Sequence, residues 1–96
     1  MFVVSLTYIV DVEDVEKHLA AHVEYLDKQY AAGHFLASGR KVPRIGGIIL
    51  ACVKNRAILD ELLAEDPFML NRVASYDIIE FVPTKTSSEL SMLVQK

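Results

Sequence analysis

The chain has 96 residues, enough for one domain and too few for two. It carries 10 Lys plus Arg against 13 Asp plus Glu, a formal charge of −3 at pH 7, and its most basic local run is Arg40, Lys41 and Arg44. That excludes the converging cations of a nucleic-acid binder, and no apolar run approaches the ~20 residues that cross a bilayer.

Residues 2–9 mix β-branched and aromatic types (Val3, Val4, Thr7, Tyr8, Ile9), which suit a pleated surface, and predict a first strand covered on both faces. Asp11 then opens a helix, its carboxylate placed to accept first-turn N–H groups, with Glu13 and Asp14 opposing the positive dipole end. The apolar steps Val12, Val15, Leu19, His22 or Val23, Leu26 and Tyr30 keep one face of this single helix towards the sheet, and Gly33 ends it in the left-handed region. Residues 34–39 form a short second strand. The Pro43, Gly46 and Gly47 segment is expected to turn, and 47–53 to form the third strand, with Cys52 packed inside it as a small hydrophobe. Asn55 caps a second helix with the face Ile58, Leu59, Leu62 and Leu63, which stops at Asp66–Pro67. Residues 68–73 make a helical turn over the sheet edge, and 76–82 a fourth strand closed by Pro83. Residues 84–96 read equally as a short terminal helix or as a tail reaching a partner.

The order β-α-β-β-α-β predicts an α+β, ferredoxin-like fold: a four-stranded antiparallel sheet with two helices on one face. The chain is then one domain, 1–96, with a core at 2–83 and an extension at 84–96. Apolar residues make up 52% of it, and the helices cover only one sheet face. Leaving the other in water costs about 25 cal/mol per Å². A homodimer, sheet against sheet, removes that cost. One cysteine admits no intramolecular disulfide and residues 1–10 lack a basic signal-peptide start, so the expected compartment is the cytoplasm.

Three histidines are present. His18 and His22 are four apart on one helix, but Leu19 stands where HExxH needs Glu, and no CxxC accompanies them, so no metal or other cofactor is expected. His22 falls beside the apolar stripe with its ring towards the sheet or its rim. Asp66 sits where the second helix is stopped by Pro67. A carboxylate beside a histidine fixes its tautomer and strengthens it as a base. The two helices run roughly parallel, however, and that alone does not bring residue 22 to residue 66. Tyr8, Tyr25 and Tyr76 offer phenolic donors to a small-molecule ligand, Ser38–Gly39 a strand-end N–H, and Arg40 a cation for an anion. Each of these residue types is also common in cores, turns or solvated faces.

These segments together resemble the YciI-like family over about residues 2–83. The resemblance is carried by the Tyr8 strand, by His22–Val23–Glu24–Tyr25–Leu26, by Gly33–His34–Phe35–Leu36–Ala37–Ser38–Gly39 and, most specifically, by Asp66–Pro67–Phe68. It implies a dimeric α/β barrel formed through the sheets, similar to muconolactone-isomerase-type barrels, and a His–Asp active site falling on His22 and Asp66. One branch of that family eliminates HCl from a chlorinated hydroxyquinol. Two departures stand out: Arg40 where many members have proline, and Leu19 where many have arginine. The resulting expectation is a small-molecule enzyme of lyase or isomerase type, with His22 and Asp66 transferring a proton. The alternatives are a non-catalytic small-molecule binding domain and a structural partner-binding domain.

Overall fold

The structure is a computed structural model that describes residues 1–94. The last two residues of the expected extension lie outside the described residues. The strands are β1 (Phe2–Tyr8), β2 (Phe35–Arg40), β3 (Gly46–Ala51) and β4 (Ala74–Glu80). Every pairing is antiparallel, in the order β2-β3-β1-β4. The expected α+β, ferredoxin-like sheet is therefore present.

Alternation along β1 divides the sheet into two faces. Phe2, Val4 and Leu6 are buried, and the register sets them against Ala51, Ile49 and Gly47 on β3 and Glu80, Ile78 and Tyr76 on β4. This face carries the helices: the core joins Phe2 and Val4 to Val15, Tyr25, Leu59, Leu63 and Phe68. The other face bears Val3, Ser5 and Thr7, with Ile48, Leu50 and Ile79 among their cross-strand partners.

The first helix departs from the expected single rod. It is α1 (Val12–Glu16) followed by α2 (Leu19–Ala31), separated at Lys17 and His18, where His18 has φ −111° and ψ 3°. No Pro or Gly marks this break. Val15 enters the core from α1, and His22, Tyr25 and Gln29 form the buried face of α2. The Asp11 side chain makes no capping bond; its backbone carbonyl accepts the Asp14 and Val15 N–H groups instead. Gly33 has φ +79°, the left-handed ending expected there.

Two other expectations are corrected. Gly46 and Gly47 are not a turn before the strand but its first two residues. A Cβ added at Gly46 would overlap the Leu6 carbonyl oxygen of β1, so only glycine permits this close approach. Cys52 is exposed rather than core: β3 ends at Ala51, whose side chain takes the last inward position.

The second helical region is α3 (Arg56–Leu63), capped as expected by the Asn55 side chain accepting the Ile58 N–H, and then α4 (Pro67–Leu70). A 3₁₀ helix at Ser88–Leu93 ends the described chain, with Leu90 and Met92 exposed. Among the described residues no helix is long and apolar enough to cross a membrane.

Candidate active site

The site begins with the start of α4. Asp66 is the N-cap and Pro67 the first helical residue, a position where the missing proline N–H costs nothing. Asp66 Oδ1 accepts the Phe68 N–H at 2.9 Å, a capping bond that holds the carboxyl group in place. The same oxygen lies 2.7 Å from His22 Nδ1 on α2, although the two residues are 44 apart in sequence. Asp66 Oδ2 accepts the Tyr76 hydroxyl of β4 at 2.6 Å. Asp66 is fully buried and His22 is 8% exposed.

A buried carboxylate is tolerated when donors surround it. Here the Phe68 N–H and the Tyr76 O–H both stabilise its ionised form. An ionised carboxylate only accepts, so the proton in the His22 contact sits on Nδ1. The lone pair of the neutral ring then lies on Nε2. Among the described residues Nε2 has no hydrogen-bond partner and no buried side-chain nitrogen or oxygen is unpartnered, so Nε2 is on the accessible edge of the ring. The ring plane is set by Phe68, stacked on it with centroids 3.8 Å apart and planes within 2°.

Burial and the neighbouring Asp66 charge push the Tyr76 phenol far above its ordinary value of 10.0; the direct bond to Asp66 adds to this. The Tyr25 phenol is raised by burial first and then by Asp66 and Glu65. Both remain neutral donors at physiological pH. Tyr25 gives its hydroxyl to the Leu62 carbonyl at 2.7 Å, tying α2 to α3.

His22 borders a hollow of about 190 Å³ between α2 and the sheet, at the end where β1 and β2 finish and β3 begins. Its walls are largely apolar (Leu6, Leu19, Leu26, Ile49, Phe68), and Gly39, Gly46 and Gly47 leave its floor without side chains. Of the residues singled out in the sequence, Tyr8, Ser38, Gly39 and Arg40 line it together with His22. Asp66, Tyr25 and Tyr76 do not: Asp66 and Tyr76 stand behind the imidazole, and Tyr25 belongs to the helix packing. Ser38 Oγ is 2.6 Å from the Tyr30 hydroxyl. Arg40 is exposed and makes no ion pair among the described residues, and no carboxylate lines the hollow.

Phe68 was expected only to cover the sheet edge. Its position directly after the Asp66–Pro67 cap is the sequence signal that places its ring beside whatever Asp66 holds. Gly46 and Gly47 were likewise hidden by their reading as a turn.

A model of the YCII-related domain family matches residues 1–82. The chain belongs to that family. Among solved structures, 5-chloro-2-hydroxyhydroquinone dehydrochlorinase (TftG) from Burkholderia phenoliruptrix AC1100, in complex with 2,5-dihydroxybenzoquinone, superposes with a TM-score of 0.73 at 14% identity. The match covers 83% of this YCII-family chain and 91% of TftG, and at that identity it shows a shared fold. No curated protein matches this chain.

Proposed function

We propose that this YCII-family chain is a small-molecule enzyme of lyase or isomerase type, in which His22 is the general base and Asp66 orients it. The observation that carries the reading is the buried 2.7 Å contact between His22 Nδ1 and Asp66, which leaves Nε2 at the accessible edge of a ring bordering the hollow. As Nε2 takes a proton from carbon or oxygen of the substrate, the imidazolium charge forms beside a carboxylate already in place, with no reorganisation. Largely apolar walls surround that exchange. Arg40 and the strand-end groups at Ser38 and Gly39 are the groups available for negative charge on the substrate, with Tyr8 as a further phenolic donor. TftG, named as a dehydrochlorinase and seen with a small hydroxylated ring compound, supports a base-dependent elimination on a molecule of the size this hollow accepts.

The test is His22→Ala against a panel of small hydroxylated ring compounds, with 2,5-dihydroxybenzoquinone as binding probe. Turnover should fall by about 10²–10⁴, while circular dichroism shows the fold retained. Full activity in the variant would remove His22 from the mechanism. A second reading, a non-catalytic binding domain, draws on Asp66 being also the cap of α4; it predicts saturable binding of the probe without product from any compound in the panel.

The assembly proposed is a homodimer through the open sheet face, where Ile48 and Ile79 are exposed. The compartment proposed is the cytoplasm, in keeping with a single unpaired cysteine.

A further inference from the structure

We infer that Tyr76 is a positioning residue: its hydroxyl holds the second oxygen of Asp66 and thereby sets the strength of His22 as a base. The inference rests on the proposed role of His22, but its test needs no substrate, so the two can fail separately.

The argument starts from the register of β4. Tyr76 lies opposite Leu6 and shares a face with Ala74 and Ile78, so its ring enters the helix-covered side of the sheet. Its hydroxyl reaches Asp66 Oδ2 at 2.6 Å, a short distance typical of O–H donation to an ionised acceptor. Asp66 is fully buried, and no water can replace that donor without displacing packed atoms. The other two contacts, from the Phe68 N–H and His22 Nδ1, fall on Oδ1. Tyr76 is therefore the only partner of Oδ2 among the described residues.

Removing it leaves one carboxylate oxygen buried and bare. The carboxylate then keeps its charge with one donor fewer, is the more basic for it, and holds the imidazolium more strongly. The groups packed around Asp66 are His22 and Tyr25 from α2, Phe68 from α4 and Tyr76 from β4, with Glu65 next to it in sequence. Only His22 among them becomes cationic. Tyr25 supplies the control. It is a buried tyrosine next to the same carboxylate, but its hydroxyl is committed to the Leu62 carbonyl.

The experiment follows the His22 imidazole ¹⁵N and ¹³C resonances against pH by NMR in the unmodified chain, in Tyr76→Phe and in Tyr25→Phe. Tyr76→Phe should move the midpoint of that profile to higher pH by about one unit, equivalent to about 1.4 kcal/mol between protonation states. Tyr25→Phe should leave it within a few tenths. Equal midpoints in all three proteins, or equal shifts in both variants, would overturn the inference. A measurement on the unmodified chain covers the case in which Tyr76→Phe does not fold. The Tyr76 hydroxyl proton should be downfield, protected from exchange, and should move as His22 titrates. A rapidly exchanging hydroxyl, indifferent to His22, would refute the coupling.

Discussion

Asp66 performs three tasks with two oxygens: it caps α4, holds the imidazole and receives the Tyr76 hydroxyl. Asp66→Asn separates them. Asparagine caps helices as well as aspartate does, so α4 should still start. Its amide, however, presents N–H where one of the His22 or Tyr76 donors needs an acceptor. The expected outcome is a stability loss of about 1–3 kcal/mol and turnover in the proposed reaction lowered, but by no more than in His22→Ala; thermal melts and steady-state rates check the two halves. The raised phenols of Tyr76 and Tyr25 make a separate prediction. An unfolded chain loses these protons near pH 10, whereas the folded chain keeps them to higher pH. Their contribution is complete below about pH 10 and is lost as the pH climbs from there through the folded-state values. The urea midpoint should therefore decline between pH 9 and pH 11, and Tyr76→Phe should flatten the decline. The dyad was only partly legible in sequence. The apolar stripe put His22 towards the sheet, and Asp–Pro marked a fixed carboxyl, but their meeting rested on a family resemblance. Tyr76 was visible as a phenol; that it serves Asp66 rather than a ligand follows from the strand register.

At the scale of elements, glycines show how much the local surroundings decide. Gly46→Ala places a methyl group on the Leu6 carbonyl and should abolish folding or cost several kcal/mol. Gly39→Ala meets nothing within 4 Å and has no positive φ, so its melting temperature should change little. A comparison of the two by calorimetry checks the claim that β3 starts at Gly46. The strands were read to within two residues because alternation is a local signal carried by side chains. The α1–α2 break was not readable, since Lys17 and His18 are ordinary helix residues. Val15 and His22, seven apart, would share one face of an unbroken helix, so the apolar pattern reads the same with or without the interruption. Cys52 was misplaced for a related reason: an apolar run does not say where its strand ends.

For the whole molecule, the sheet has one packed side and one side on which Val3, Leu50, Ile48 and Ile79 sit among Ser5, Thr7 and Asp77. Ile79 is 63% exposed, so replacing it by Asp disturbs no monomer packing. If the proposed dimer forms there, sedimentation velocity should show a two-chain species for the unmodified protein and a single chain for Ile79→Asp, with unchanged circular dichroism. A single chain in both at high concentration would reject the assembly. The strand order β2-β3-β1-β4 has another outcome. Imidazole, carboxylate and phenol come from α2, the start of α4 and β4, and the last of these pairs with the first strand of the chain. The cluster is thus completed by the most distant pairing in the topology, the one with the largest loop-closure entropy. During refolding, helical signal should return first. The Tyr76 bond to Asp66 should return only with the final closure of the sheet, so no partly folded form of this chain completes the three-residue cluster.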